Sequence, residues 1–188
     1  IHSFPTRRSS DLPIYPWAVS PAGLRGAYDL AERYDVMTST HVAEVTQQER
    51  NLLSSVEYLD KVGYLGERAL LGHCVHLDER DVRLLAETGT KVAHNLLTNL
   101  ALGSGIAPVP TMHGYGVDVG IGTDNASASD TVDMLTDVRF AAMVHDGVRQ
   151  DPGAITARKA LAMATIEGAR AVGRADDLGS LEPGKRAD

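Results

Sequence analysis

Apolar positions along the chain follow two patterns, and stretches with one pattern alternate with stretches of the other. One pattern has the helical period, which is clearest at Leu24, Ala27, Tyr28, Ala31 and Tyr34. Ser20 and Pro21, just before this stretch, are typical of a helix start. The other pattern is a short apolar run such as "RALLGH", which indicates a strand buried on both faces. Strands that alternate with helices of about a dozen residues predict parallel β-α-β units.

The pattern predicts four strands, each followed by helical sequence. The strands are "VMTSTH", "RALLGH", "TKVAH" and "VDVGIGTD". The first helix between them is "QQERNLLSSVEYLDKV", with Thr46 as its cap, Glu49 completing a capping box and Gly63 at its end. Further helices are "LDERDVRLLAETG", "TVDMLTDVRFAAMVHDG" and "AITARKALAMATIEGARAVG", and a helical or turn segment, "GIAPVPTMHGYG", precedes the last strand.

Each predicted strand ends in a side chain that can bind a metal. These residues are His41, His73, His94 and Asp124. Their separations resemble the roughly 31 residues per unit of a (β/α)8 barrel, in which active sites lie at the carboxyl ends of the strands. The sequence therefore predicts an α/β barrel with a metal site at these strand ends.

Each of these residues also has an ordinary structural interpretation. His41 can be a hydrogen-bonded core histidine, and Asp124 can be a turn or cap residue beside Gly122. Together with His73 on a third strand end, however, the imidazole and carboxylate groups favour zinc, with iron as the alternative.

Glu44 lies three residues beyond His41. In a continuing strand its side chain would point to the opposite face. If the strand ends at His41, the carboxylate can turn back over the barrel mouth and act as a proton shuttle. Otherwise it is a helix-start carboxylate before Thr46.

The remaining histidines and the cysteine have weaker claims to the site. His94 and Asn95 are expected to support the site residues from behind, although a hydrogen-bonded turn is the alternative. His113 and His145 fall on helical stretches and are expected at the surface. Cys74 is expected to be a small buried side chain rather than a nucleophile.

Composition narrows the class of protein. The chain has 188 residues, 43% of them hydrophobic and 23% charged, as in a soluble globular domain or part of one. A net charge of -7 and few aromatic residues argue against binding to nucleic acid or to anionic membranes. No apolar run approaches the roughly 20 residues of a membrane span. The single cysteine favours a reducing, cytoplasmic location.

Residues 1–12 differ from the rest of the chain. The stretch "HSFPTRRSSDL" is rich in serine and arginine and has neither a helical nor a strand period. A transit peptide would need an amphipathic pattern that is absent here. We therefore expect a non-native leader at residues 1–12.

Five stretches resemble the amidohydrolase superfamily, in the branch of methylthioadenosine/S-adenosylhomocysteine deaminases, guanine deaminases and triazine chlorohydrolases. They are "THVAE", "LLGHCVHLDE", "VAHNLLTNLALGSGIAPV", "GVDVGIGTDNAS" and "LGSLEPGKRAD". The resemblance implies the C-terminal half of a metal-dependent (β/α)8 TIM barrel. Residues 13–175 would cover about strands 4 to 8, and residues 176–188 would begin a truncated small β-domain.

The same resemblance implies roles for four residues. His41 would be a metal ligand, and Asp124 would be both a ligand and the acceptor of a water proton. Glu44 would donate a proton to the substrate ring, and His73 would contact the substrate and the activated water. The implied reaction is removal of an amine from a purine-like or triazine-like ring with one divalent metal, and release of chloride is the alternative.

Three departures limit what the resemblance implies. The family's His-x-His pair is absent, and Ile14 in "PIYPW" stands where a nucleoside deaminase has a substrate-binding histidine. Leu96 and Leu97 replace the proline and small residue that usually follow His-Asn. A non-catalytic fragment or a metal-binding scaffold therefore stays open. If residues 13–188 are a half-barrel, we expect them alone to be inactive and to self-associate through exposed sheet edges.

Overall fold

The computed structural model describes residues 15–45, 53–130 and 132–186. A short 3-10 helix, Pro16–Ala18, comes first. The strands are β1 (Thr38–Val42), β2 (Ala69–His73), β3 (Lys91–His94) and β4 (Val119–Ile121). The longer helices are α1 (Pro21–Tyr34), α3 (Glu79–Thr88), α7 (Met134–Arg149) and α8 (Ala157–Ala164). The shorter ones are α2 (Ser55–Lys61), α4 (Leu96–Ala101), α5 (Val109–Gly114), α6 (Ala126–Ser129) and α9 (Ile166–Ala171).

The four strands form one parallel sheet in the order β1-β2-β3-β4. His41 lies opposite Gly72 and Val42 opposite His73, while His94 on β3 lies opposite Ile121 on β4. Parallel pairing places all four carboxyl ends at one edge of the sheet, as the alternating pattern predicted. β4 is shorter than predicted, so Asp124 lies three residues beyond the strand.

Side-chain caps fix where the helices begin. Ser20 accepts a hydrogen bond from the backbone N–H of Gly23 at 3.1 Å, which confirms the predicted start of α1. The predicted cap Thr46 and its partner Glu49 lie outside the described residues. The helix predicted to run on from there instead begins at Ser55, because Ser54 is extended and forms a capping box with Glu57.

The last predicted helix is broken in two. Thr165 separates α8 from α9 with φ -123° and ψ -103°, outside the helical region. Its hydroxyl donates to the carbonyl of Leu161 at 2.7 Å, a contact that tends to bend helices. The break lets α9 pack against β4, where Gly168 meets the backbone of Gly120.

The core lies between the sheet and its helices. Strand residues Leu71 and Val92 are fully buried, and so are helix residues Leu24, Leu59, Val82, Leu85, Met112 and Met163. Residues 176–186 form turns, and their assignment to a small β-domain stays a prediction. No helix in the described part of the chain is long and apolar enough to cross a membrane.

The close approach of α9 to the end of α8 can be tested with two glycines. A Cβ at Gly168 would stand 2.8 Å from the Met163 carbonyl oxygen, so Gly168→Ala must shift backbone and should destabilise the protein by about 1–3 kcal/mol. Gly26, inside α1, has nothing within 4 Å of such a Cβ, so Gly26→Ala should stabilise by up to about 1 kcal/mol. Urea unfolding of both variants measures the difference. Equal effects would contradict this packing.

Candidate active site at the strand ends

Two imidazole rings meet at the ends of β1 and β2. His41 Nδ1 lies 2.8 Å from His73 Nε2, and the rings stack with centroids 5.0 Å apart at an interplanar angle of 20°. His73 is buried, with 1% of its surface exposed, and His41 is half-buried. One of the two facing nitrogens carries the proton in the hydrogen bond between them.

Strand alternation alone would keep these rings apart. Because Val42 is the register partner of His73, an extended His73 would share the sheet face of Val42 rather than that of His41. His73 instead has φ 69°. Relative to an extended residue with φ near -120°, this turns its Cβ by roughly half a revolution about the N–Cα bond. The ring of His73 therefore points towards His41.

Left-handed backbone also turns two carboxylates into the same place. Ala43 has φ 47°, which breaks the strand alternation before Glu44, and Asp124 itself has φ 56°. Glu44 Oε2 lies 4.0 Å from His73 Nε2, and Asp124 Oδ2 lies 3.9 Å from the same nitrogen. The four residues predicted for catalysis and metal binding are thus brought together, although their roles stay predictions.

The donor set suits a divalent cation. One ligand atom each from His41, Glu44 and His73 lies within 4.8 Å of the others, and the Asp124 carboxylate adjoins His73. Imidazole nitrogens combined with carboxylate oxygens are donors that zinc prefers. The two carboxylates are nearly equidistant from His73, so distance alone does not decide which of them would be the ligand.

An aromatic residue that the sequence analysis did not single out lies beside the cluster. The ring of Tyr15 lies 5.0 Å from that of His41, and its other close ring neighbour is Trp17 at 5.1 Å. Burial, and then the charges of Glu44 and Asp124, raise the pKa of the Tyr15 hydroxyl. Burial and the neighbouring His73 lower the pKa of His41, against the opposing effect of both carboxylates.

A second residue that the sequence analysis missed contacts His73 from behind. Asn99 Oδ1 lies 2.9 Å from His73 Nδ1, on the side of the ring opposite the cluster. Asn99 is fully buried on α4. The available signal in the sequence was a lone amide inside the apolar stretch "LLTNLA", four residues after Asn95.

Comparison with known proteins identifies the family. The model of the amidohydrolase family matches residues 13–188, nearly the whole chain. The chain belongs to the amidohydrolase family. This confirms the resemblance seen in the sequence motifs.

Three similar proteins show what this amidohydrolase chain resembles. The S-triazine hydrolase of Gordonia rubripertincta is 42% identical over 177 residues, which cover 94% of this chain and 37% of the relative. A 5-methylthioadenosine/S-adenosylhomocysteine deaminase of Desulforudis audaxviator (strain MP104C) is 38% identical over 181 residues, which cover 94% of this chain and 42% of the relative. The crystal structure of an adenosine deaminase from Xanthomonas campestris with bound zinc matches with a TM-score of 0.90 and 32% identity. The match covers 95% of this chain and 42% of the adenosine deaminase.

These matches confirm the predicted fold class, because the parallel sheet and its helices correspond to part of a (β/α)8 barrel. The amidohydrolase chain spans about two fifths of the length of the curated relatives it matches.

His94 and Asn95 lie behind the cluster at the end of β3. His94 is fully buried, and its Nε2 lies 3.1 Å from His145 Nε2. Asn95 is buried at the start of α4 and adjoins Gly122, where a side chain would collide with its carboxamide. Their supporting role in the amidohydrolase site stays a prediction.

The predicted surface position of His145 is wrong. Only 2% of its surface is exposed, because it lies one helical turn from the buried Ala141 on the packed face of α7. His113 is half-buried, and its Nε2 is also shielded from solvent. A helical position away from the strand ends does not by itself imply exposure, because His145 shares the packed face of its helix with Ala141.

Cys74 is buried, as expected. Burial, and to a smaller extent the charge of Asp81, raise the pKa of its thiol. A thiol of this kind stays protonated at neutral pH and is a poor nucleophile.

The buried histidine pair predicts acid sensitivity. Burial, followed by the charges of nearby cationic groups, lowers the pKa of His94 to about 3 and that of His145 to about 4, against about 6.5 in an unfolded chain. The unfolded state therefore binds more protons below pH 6.5, so stability is complete above that pH and falls as the pH drops towards 4. The slope is up to about 1.4 kcal/mol per pH unit for each histidine.

The measurement is urea unfolding of the wild type and His145→Gln at pH 7.5 and pH 5.0. The variant should lose less stability on acidification, because one group that titrates on unfolding is gone. Asp137 opposes the trend, since burial raises its pKa to about 6, but it contributes equally to both proteins. Identical pH dependence in the two proteins would contradict the assignment.

Proposed function

We propose that the protein containing this chain is a metal-dependent hydrolase that removes an amine from a purine-like or triazine-like ring. The observation that carries the proposal is the convergence of three residues on His73. Polar atoms of His41, Glu44 and Asp124 lie 2.8–4.0 Å from His73 Nε2. Membership of the amidohydrolase family and similarity to deaminases of small heterocycles support it. A cytoplasmic location is part of the proposal and is favoured by the single cysteine.

His41 and Asp124 would hold the cation, with zinc as the first choice because the structurally similar adenosine deaminase carries it. When bound, zinc supplies a Lewis acid that lowers the pKa of water towards roughly 7. His73 Nε2 lies about 4 Å from both carboxylates, and this residue would orient the substrate and the attacking water.

Two carboxylates divide the proton transfers. Asp124 takes a proton from the attacking water, so that a C–O bond can form at the ring carbon. Glu44 gives a proton to the adjacent ring nitrogen, which prevents negative charge from building up there. The C–N bond then breaks, and the amine leaves as ammonia after it receives the proton returned by Asp124. The remaining proton of the new hydroxyl passes to Glu44, which restores the carboxylic acid and leaves a ring carbonyl beside the protonated nitrogen. General acid-base steps of this kind contribute about 10²–10⁴-fold each.

Release of chloride from a triazine is the second candidate. It is favoured by structural similarity to an atrazine chlorohydrolase from Arthrobacter aurescens TC1, with a TM-score of 0.88 and 31% identity over 94% of this chain and 40% of that one. The four site residues suit both reactions, because each replaces a substituent on a ring carbon by a hydroxyl. Side-by-side assays of ammonia and chloride release with aminated and chlorinated rings distinguish them.

Three substitutions test the division of roles in the full-length gene product that contains this chain. Glu44→Gln should keep the metal and lose about 10²–10⁴-fold in turnover, because an amide cannot deliver the proton. Asp124→Ala should lose both metal and turnover. His41→Ala should mainly lose metal, with activity partly restored by excess zinc. Bound metal and product release are measured for each variant.

The outcome for Glu44 decides between the two carboxylates. If Glu44→Gln loses metal while Asp124→Asn retains it, Glu44 is the ligand and the roles are reversed. If Glu44→Gln keeps turnover within about threefold of the wild type, the protonation role is wrong. Metal binding without turnover on any ring would favour the metal-binding scaffold.

A further inference from the structure

We propose that Asn99 is a positioning residue that fixes the tautomer of His73, keeping the ring proton on Nδ1 and the Nε2 lone pair towards the cluster. Only the expectation for zinc affinity rests on the proposed function. The tautomer itself is a property of the described residues and can be tested without turnover.

The contact between the two side chains is buried on both sides. Asn99 Oδ1 lies 2.9 Å from His73 Nδ1, and the exposed fractions of the two residues are 0% and 1%. A carboxamide oxygen can only accept a hydrogen bond, so Nδ1 must be the donor. In a neutral ring the other nitrogen, Nε2, then carries the lone pair.

The lone pair faces the groups that would use it. His41 Nδ1 lies 2.8 Å from His73 Nε2, and the Glu44 and Asp124 carboxylates lie at 4.0 and 3.9 Å. A proton on Nε2 would be attracted to these two carboxylates and would occupy the space between the donor atoms. With the proton held on Nδ1, His73 can accept a hydrogen bond or donate its electron pair to a cation.

The main chain holds Asn99 in place independently of this bond. Its backbone N–H donates to the Asn95 carbonyl at 3.0 Å, and its carbonyl accepts from Ser104 at 2.8 Å. Asn99 Nδ2 is buried without a hydrogen-bond partner among the described residues, so the amide lacks a full set of side-chain bonds. A buried polar group left in this state costs stability, and an apolar residue of the same size would avoid that cost. The bond to His73 is therefore the feature that distinguishes Asn99 from leucine here.

The two orientations of the amide make opposite predictions. If Nδ2 rather than Oδ1 faced His73, it would donate to Nδ1 and leave the ring proton on Nε2. An ionised aspartate at this position can only accept. Asn99→Asp should therefore keep the wild-type tautomer if Asn99 accepts, and change it if Asn99 donates.

The experiment uses protein labelled with ¹⁵N at histidine and long-range ¹H–¹⁵N spectra at pH 8 without metal. The His73 signals are assigned by their loss in His73→Gln. The wild type and Asn99→Asp should both carry the proton on Nδ1. Asn99→Leu, which offers no acceptor, should shift the proton towards Nε2.

Zinc affinity tests whether the variant also disturbs the metal ligands. His73 is not one of the ligands proposed for the cation, so Asn99→Leu should change the tautomer of His73 and leave zinc affinity within about threefold of the wild type. Thr98→Val is the matched control, because Thr98 is the adjacent buried residue on α4 and its hydroxyl has no hydrogen-bond partner among the described residues. It should leave both the tautomer and zinc affinity unchanged.

Three results would overturn the proposal: a wild-type proton on Nε2, a tautomer changed by Asn99→Asp, or a His73 proton that stays on Nδ1 in a folded Asn99→Leu. If Asn99→Leu does not fold, the wild type and Asn99→Asp spectra still decide. If the proposed deaminase function is wrong, the tautomer measured in these spectra is unaffected. Failure of the proposed function and failure of the tautomer proposal can therefore be told apart.

Discussion

The candidate site depends on left-handed backbone conformations at the ends of three strands. Regular alternation would place the side chains of Glu44 and His73 away from His41. Positive φ angles at Ala43, His73 and Asp124 redirect the chain so that these groups meet. Each such residue other than glycine costs of order 1–3 kcal/mol, so the surrounding structure must hold it in place.

Main-chain hydrogen bonds between the ends of β1 and β2 supply that restraint. The Val42 carbonyl accepts from Cys74 at 2.9 Å, and the Ala43 carbonyl accepts from Val75 at 3.1 Å and from His76 at 3.0 Å. The segment after His73 is thus tied to the segment before Glu44. The same bonds satisfy backbone groups that burial would otherwise leave unpaired.

The sequence predicted the parts of the site that follow from periodicity. Strand alternation with helices located His41, His73 and Asp124 at or near one edge of the sheet. It could not reveal the left-handed angle at His73, because only a small fraction of histidines adopt that conformation even though they do so more often than most residues. Nor could it place Asn99 or His145, since each contacts a residue more than 25 positions away that only the folded sheet brings near.

Curvature of the sheet completes the site. In a flat sheet β2 and β4, separated by β3, would lie roughly 10 Å apart. Asp124, three residues beyond β4, nevertheless brings its carboxylate to 3.9 Å from His73 Nε2 on β2. Tilted, twisted strands that curl towards a barrel bring their carboxyl ends closer than a flat sheet does. A cation held between His41 and Asp124 would then join the outer strands β1 and β4, so that metal binding would stabilise the same curvature that assembles the site.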